Sequence, residues 1–293
     1  YKKAFFQYLE YERRFSDHTL QSYQNYLNQF FIYINNAYHI EDPSVISHKI
    51  IRGWIVTLIE KGLSARTVQR KITTLKSFYK FLIRNGKVNT NPMDKVQSPK
   101  SEKKLPCFVE QNSMDNLFTK ITFPDDFTGL RDKVVLEILY NTGIRRSELI
   151  NLQTQDIDFN NYAVKVLGKR NKERIVPLSK KITNFLQLYI QYRNTEFGKL
   201  SHDYLLITSK GKQLYPKFVY RLVQKYLTQV TTIEKKSPHV IRHTFATHML
   251  NNGADMNAIK ELLGHANLAA TQVYTHNTFE KLKKIYNQAH PRA

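Results

Sequence analysis

The sequence has one cysteine, Cys107, in 293 residues, and this scarcity excludes two classes of protein. A single thiol cannot form an internal disulfide, and it leaves too few thiolate ligands for a structural zinc site. The chain is therefore not a disulfide-stabilised secreted domain, and it fits a reducing compartment such as the cytoplasm.

Long apolar runs are also missing. The longest stretches, such as WIVTLI from Trp54, are far shorter than the roughly 20 residues that a membrane-spanning helix needs. No secretory signal opens the sequence. We therefore expect a soluble cytoplasmic protein that has no membrane partner.

Acidic residues are few, because 24 Asp and Glu stand against 45 Lys and Arg, which gives a formal net charge of +21. Such an excess points to a polyanionic partner, although surplus charge can also serve solubility alone. The first hundred residues and the remainder are both basic. This distribution is expected of two domains that bind one nucleic acid.

The first part of the chain, to about Val96, has the periodicity of helices. Apolar residues recur at three- and four-residue spacing in DHTLQSYQNYLNQFFIYI from Asp17 and in SARTVQRKITTLKSFYKFLIRNG from Ser64. Ser64 is predicted to cap the second of these helices, and Asn85-Gly86 is predicted to end it.

The helix that begins after Ser64 separates an apolar side from a cationic side. The cationic side consists of Arg66, Arg70, Lys76, Lys80, Arg84 and Lys87. Charged faces are usually just solvated, but no acidic residue interrupts this one. We therefore interpret it as a surface that contacts the phosphates of a nucleic acid.

A linker is predicted at residues 97–106, between a domain at 1–96 and a second domain at 107–293. The stretch NPMDKVQSPKSEKKLPCF, which begins at Asn91, is rich in proline and lysine and lacks apolar periodicity. The second domain opens with a helix, RDKVVLEILYNTG. Alternation in IDFNNYAVKVLGKRNKERIVPL, around turns at Asn160-Asn161 and Gly168, then predicts a small antiparallel sheet. The predicted fold class is mainly α with this small sheet.

Two segments of the second domain carry residues suited to phosphate chemistry. SPHVIRHTFATHML, with Ser237 as a predicted cap, places His239 and Arg242 on one face of a helix N-terminus, where backbone amides also favour an anion. Arg145 follows a glycine turn in TGIRRSEL and opens another helix. Arginine suits this task because its planar fork binds phosphate in a bidentate way. An HxxR pair alone is nevertheless a weak signal.

Five segments in order, with matching spacing, carry a family resemblance. They are LYNTGIRRSEL, VLGKRNKERIVPL, SPHVIRHTFATHML, LLGHANLAATQVYTH and the closing HPRA. With them the chain resembles the tyrosine recombinases, most closely the Xer branch that resolves chromosome dimers. The likeness covers nearly the whole chain, including SDHTLQSYQNYLNQF and GLSARTVQRKI near the N-terminus.

The resemblance implies a two-domain clamp on DNA. An N-terminal helical SAM-like domain would bind the core recombination site, and a C-terminal mixed α/β domain would hold the catalytic residues. The expected partners are double-stranded DNA and a homo- or hetero-tetramer of recombinase protomers on two DNA sites, in the nucleoid. Whether an FtsK-type DNA translocase is a further partner stays open.

The resemblance also assigns catalytic roles by position. Tyr274 matches the nucleophile, which would form a 3′-phosphotyrosyl link. Lys169 would protonate the departing 5′ oxygen, although Arg170 stands where the family often has glycine. Arg145 and Arg242 would stabilise the transition state. His239 would accept the phenolic proton, and His265 would hold a non-bridging oxygen of the phosphate. The complete predicted catalytic set is Arg145, Lys169, His239, Arg242, His265 and Tyr274.

No cofactor is expected for such a reaction. Asp156 and Asp158 lie two apart, but no further carboxylate cluster accompanies them to hold magnesium as in a metal nuclease. A phosphotyrosyl link stores the energy of the cleaved bond, so ATP is not needed, and the sequence contains no GxxxxGK[ST] loop.

A tail helix is predicted at about 277–290, and family resemblance implies that it exchanges between protomers. Its apolar residues Phe279, Leu282, Ile285, Tyr286 and Ala289 repeat at three- and four-residue spacing. This stripe could pack on its own domain or in a groove of the next protomer. Both arrangements stay open at the level of sequence.

Two other functions compete with an Xer recombinase. A mobile-element integrase would use the same chemistry, but integrases often add an N-terminal arm-binding domain, and this sequence starts directly in the clamp domain. An inert DNA-binding protein that kept the fold would form no phosphotyrosyl adduct. The sequence gives neither the DNA target nor the identity of the general base.

Overall fold

The computed structural model describes residues 1–101, 107–168, 171–264 and 276–293, with side chains in the last range from residue 279 onward. The chain divides into two compact units, Tyr1–Lys104 and Leu105–Ala293. The predicted linker at 97–106 spans this division, and its residues 102–106 lie outside the described residues.

The first unit is helical. A π-helical turn at Tyr8–Glu12 follows the first helix, and 3-10 turns lie at Pro43–Val45 and Pro92–Lys95. Its helices are α1 (Lys2–Gln7), α2 (Asp17–Tyr38), α3 (His48–Glu60) and α4 (Ala65–Arg84).

Helix α4 shows how the sequence builds this unit. The Ser64 side chain accepts a hydrogen bond from the backbone N–H of Thr67, as predicted for a cap, and the helix ends at Arg84 with Asn85 as its C-cap residue. The apolar side is buried in the core that α2 and α3 share with α4. Lys71 is also buried, where its ammonium bonds the Gln29 side chain and lies over the rings of Tyr26 and Trp54.

The second unit is a helical domain with one small sheet. Its first helices are α5 (Gln111–Thr119), α6 (Phe127–Thr142) and α7 (Arg146–Asn151). After the sheet follow α8 (Lys180–Phe197), α9 (Pro216–Leu227), α10 (Pro238–Asn251), α11 (Met256–Leu263) and α12 (His276–Ala289). Helix α6 is buried along nearly its whole length and packs against α8 and α10.

The sheet is antiparallel in the order β1 (Ile157–Asp158), β2 (Ala163–Leu167) and β3 (Glu173–Pro177). Val164 pairs with Val176, and both are buried. The two hairpin turns fall where the alternation predicted them, and the backbone N–H of Gly168 bonds the Lys172 carbonyl at 2.8 Å across the second turn.

Gly143 lets α6 and α7 meet at the site. It ends α6 with a left-handed φ of 58°. A Cβ there would lie 2.5 Å from a ring carbon of Phe245 on α10 and 2.8 Å from Leu263 on α11. Glycine is therefore needed for both the backbone conformation and the close approach of three helices.

The predicted fold class is confirmed: the chain is mainly helical, with one small antiparallel sheet in the second unit. Among the described residues, none of the helices is both long enough and apolar enough to cross a membrane.

Candidate active site

Helix α10 brings His239 and Arg242 to one face of its first turn. Ser237 occupies the N-cap position with an extended backbone, and Pro238 opens the helix. The predicted cap is only partly right, because the Ser237 hydroxyl makes no capping hydrogen bond. The first turn of α10, which contains His239, therefore has no side-chain cap on its backbone amides.

Arg242 is buried and held by the ends of two helices. Its Nη1 donates to the Gly143 carbonyl at 2.7 Å, and its Nη2 donates to the Leu263 carbonyl at 2.7 Å. Burial, together with the charges of Arg145 and Arg174, lowers the pKa of Arg242 to about 9. A guanidinium with that pKa still carries its charge at pH 7.

Arg145 sits at the N-cap of α7, where Glu148 fixes it twice. The Glu148 carboxylate accepts the backbone N–H of Arg145 at 2.8 Å and its Nη1 at 2.7 Å. Nη2 of Arg145 donates to the Gly264 carbonyl at 3.2 Å. The guanidinium thus lies between the start of α7 and the end of α11, and its side chain keeps 23% of its surface exposed.

A third arginine, Arg174 on β3, completes the group. Its Nη1 and Nη2 bind the two oxygens of Glu148 at 3.1 and 2.8 Å. Burial would raise the pKa of Glu148, but the bonds and charges of Arg174 and Arg145 outweigh it and hold the pKa below its usual value. Arg145, Arg174, Arg242 and Glu148 form what we call the arginine cluster.

Glu148 and Arg174 were not among the residues predicted from the sequence. Glu148 stands three residues after Arg145, at the helix position from which a carboxylate reaches back to the N-cap N–H. Arg174 alternates with buried Val176 on β3, so its register already placed a basic side chain on the inner face. Both positions could be recognised from the sequence, but the sequence does not show which side chains Glu148 and Arg174 bind.

His239 lies beside this cluster and is partly exposed. Burial and the neighbouring positive charges, of which Arg242 is the largest, lower its pKa from the usual value for histidine. The imidazole is therefore mainly neutral at pH 7 and can accept a proton.

Three of the six predicted catalytic residues, Lys169, His265 and Tyr274, lie outside the described residues. The chain on either side of them is described. Gly168 lies next to the arginine cluster, because a Cβ there would be 3.5 Å from an oxygen of Glu148. Gly264 contributes its carbonyl to the cluster.

Comparison with known proteins gives the family of this arrangement. The family described as "Phage integrase family" matches residues 108–281, and the one described as "Phage integrase, N-terminal SAM-like domain" matches residues 3–86. The chain belongs to the phage integrase family. The predicted SAM-like N-terminal domain and the recombinase family are confirmed.

Similar proteins carry the name tyrosine recombinase XerC. The protein of Staphylococcus carnosus is 40% identical, with 100% of this chain and 97% of the relative covered. That of Chlorobaculum parvum is 37% identical, with 99% and 94% covered. This tyrosine recombinase is accordingly an enzyme that cleaves and rejoins DNA strands, as predicted.

A solved structure supports the same fold. The Tn1549 transposon integrase in complex with transposon right end DNA superposes with a TM-score of 0.75 over 96% of this chain and 97% of that one. The two sequences are 19% identical. This likeness concerns the fold alone.

All six predicted DNA-contacting residues are exposed in the recombinase, five on α4 and the sixth, Lys87, beyond the end of that helix. They are Arg66, Arg70, Lys76, Lys80, Arg84 and Lys87. Arg66 and Arg70 line a cleft of about 560 Å³ together with Tyr23 and Tyr26 of α2. Arg84 differs, because it pairs with Glu12 at 3.8 Å.

A second basic surface lies in the catalytic unit and was not predicted. Helix α9 buries an apolar side and leaves Lys217, Tyr220 and Arg221 exposed. Nη1 of Arg146, the residue after Arg145, donates to the Pro216 carbonyl at 3.3 Å and so ties α9 to α7. The amphipathic pattern of α9 could have revealed this face, but not its distance from Arg145.

Proposed function

We propose that this recombinase cleaves one strand of double-stranded DNA at a specific site through Tyr274 and passes the strand to a partner duplex. The arginine cluster is the observation that carries the proposal. Among the described residues, three guanidinium groups accompany a single carboxylate: Arg145 and Arg174 bind Glu148, and Arg242 binds backbone carbonyls. Such an excess of positive charge suits a phosphate that gains negative charge as it is attacked.

In the proposed reaction the Tyr274 oxygen attacks the scissile phosphorus and the bond to the 5′ oxygen breaks. The phenol has an ordinary pKa of about 10, so it needs a base and nearby cations, which His239 and the two arginines supply. Lys169 gives its proton to the departing 5′ oxygen, and His265 bonds a non-bridging oxygen. A 5′ hydroxyl of the partner strand then attacks the phosphotyrosyl link and releases Tyr274.

The biological role that we propose is resolution of chromosome dimers by four protomers on two DNA sites. The relatives named XerC, of which 94% and 97% are covered, support it. The α4 and α9 faces would then contact the DNA backbone. This role implies two further partners that can be tested, an FtsK-type translocase and a second recombinase. The protein would act in the nucleoid.

Removal of the nucleophile tests the chemistry. A nicked suicide substrate traps the covalent adduct, which is measured on a denaturing gel. We expect Tyr274→Phe to bind the site within about threefold of the parent affinity but to form no adduct, because only the attacking oxygen is lost. Tyr192→Phe, an exposed tyrosine on α8, is the matched control and should form adduct normally. Adduct from Tyr274→Phe would remove that residue from its role.

The biological role needs a separate experiment. DNA crosslinked to the protein in cells is sequenced. Enrichment of the crosslinked DNA at one chromosomal locus supports dimer resolution, whereas enrichment at the ends of mobile elements supports an integrase.

A further inference from the structure

The end of α11 receives three arginines on three consecutive carbonyls. Leu262 accepts from Arg174 at 2.7 Å, and the two carbonyls that follow accept from the other arginines of the cluster, as described above. The last carbonyls of a helix lack intrahelical partners and carry partial negative charge. Arginines from β3, α10 and α7 therefore meet at one helix end.

Arg174 differs from the other two arginines in how completely it is engaged. Each of its three nitrogens donates to a protein oxygen, two to Glu148 and one to Leu262. Its side chain keeps only 4% of its surface exposed. A guanidinium so placed organises its neighbours and does not need to touch DNA.

Two glycines show how closely the chain passes Arg174. A Cβ at Gly264 would lie 3.1 Å from Cδ and Nη1 of Arg174, and Gly264 has a left-handed φ of 65°. A Cβ at Gly168 would lie 3.5 Å from the same Nη1. The guanidinium thus lies between the chain that leads to Lys169 and the chain that leads to His265.

We propose that Arg174 is a positioning residue for DNA cleavage. It orients Glu148, Glu148 orients Arg145, and its bond to Leu262 holds the end of α11 against the same group. The inference rests on the proposed function, since it assumes that Arg145 acts on the scissile phosphate. Lysine cannot replace Arg174, because a single ammonium lacks the planar fork that binds both carboxylate oxygens.

The first test replaces Arg174 by lysine, which keeps the charge that Glu148 needs. We expect Arg174→Lys to bind a single DNA site within about threefold of the parent affinity and to cleave a suicide substrate roughly 100-fold more slowly, as for loss of an oriented transition-state contact. Arg193→Lys is the matched control. Arg193 is buried and bonds the Tyr204 and Leu205 carbonyls, away from the cluster, so its cleavage rate should stay near the parent value. A parent-like rate for Arg174→Lys overturns the inference.

A double-mutant cycle separates positioning from general damage. If Arg174 acts through Arg145, then Arg174→Lys should slow cleavage by less than about threefold in an Arg145→Ala background, because the orientation that it controls no longer matters. A methylphosphonate at the scissile position, which lacks the non-bridging charge, should shrink the defects of both variants together. The inference is overturned if the rate defects of Arg174→Lys and Arg145→Ala multiply in the double variant. It is also overturned if Arg174→Lys is impaired as strongly on the methylphosphonate substrate as on the normal phosphate. If Arg145→Ala itself cleaves normally, the proposed function fails instead.

A second variant covers the case in which Arg174→Lys does not fold. Arg174→Gln combined with Glu148→Gln removes both charges of the buried Arg174–Glu148 pair, and the charge left without its carboxylate is that of the partly exposed Arg145. We expect this double variant to cleave as slowly as Arg174→Lys, and we expect the further change Arg145→Ala to slow it little more. Parent-like cleavage by this double variant overturns the inference.

Discussion

His239 lies in the first turn of α10, and its protonation state is set by its neighbours. Burial disfavours the charged ring, and a proton on it would also bring a further positive charge next to Arg242, so the pKa of His239 is lowered. The neutral form, which can accept the phenolic proton, therefore persists to a lower pH than for an isolated histidine.

We expect this protonation to appear in the pH dependence of cleavage. The lowered pKa means that the active neutral form is lost only as the pH falls below about 6.5, the ordinary pKa of histidine. Single-turnover rates at subsaturating enzyme, which report the free protein, should be flat at neutral pH and fall on the acid side. His239→Gln should cleave about 10² to 10⁴ times more slowly and lose this acid limb. An acid limb that survives in His239→Gln would assign it to another group.

At the scale of the element, α4 uses its two sides for different tasks. One side completes the core of the first unit, while the other exposes five of the six predicted basic residues, and the sixth, Lys87, follows the helix. These six are not equivalent, because Arg70 lines the cleft with α2 whereas Arg84 already has a carboxylate beside it.

Salt dependence of DNA binding should distinguish these two arginines. Each phosphate contact contributes about −0.9 to the slope of log affinity against log salt concentration. Arg70→Ala should therefore make the slope shallower by about 0.9, and Arg84→Ala, with the same loss of charge, should change it less. Gel-shift titration of a single site over a range of salt concentrations measures both. A larger change for Arg84→Ala would place the DNA on the other part of α4.

In the whole molecule, the tail helix α12 and the residues after it complete the core of the second unit. The structure packs α12 on its own unit, where Leu282, Tyr286 and Ala289 are buried and Tyr286 donates to the Asn141 side chain at 3.2 Å. Polar contacts secure the residues beyond it. His290 Nε2 bonds the Tyr140 carbonyl at 3.1 Å, and Arg292 pairs with Glu137.

The family resemblance implies that the tail helix is exchanged between protomers. In such an exchange α12 would leave its own unit and make the same contacts in a neighbouring protomer. Such exchange would link the chain around Tyr274 to assembly, since α12 begins at His276.

Crosslinking of two differently marked proteins can detect this exchange. The Asn252 amide donates to the Ala289 carbonyl at 2.8 Å, so position 252 lies near the exposed neighbour Gln288. Asn252→Cys and Gln288→Cys, each made with Cys107→Ser, are mixed and treated with a short bismaleimide. We expect few crosslinked dimers without DNA, and many on DNA that pairs two sites. Asn252→Cys mixed with the cysteine-free protein is the control, and absence of dimers on recombining DNA would show that the tail stays on its own unit.

The sequence alone determined the local elements and the family of this protein. Periodicity and the Ser64 cap predicted α4, alternation with turn residues predicted the sheet, and five ordered motifs identified the recombinase. Folding alone brings Arg174 and Glu148 to the predicted catalytic arginines and buries Lys71 among aromatic rings. It also decided that the tail of a single chain packs on its own unit. The physical reason is that helix and strand patterns depend on neighbours a few residues apart, whereas a buried charge depends on partners that are distant in sequence and meet only on folding.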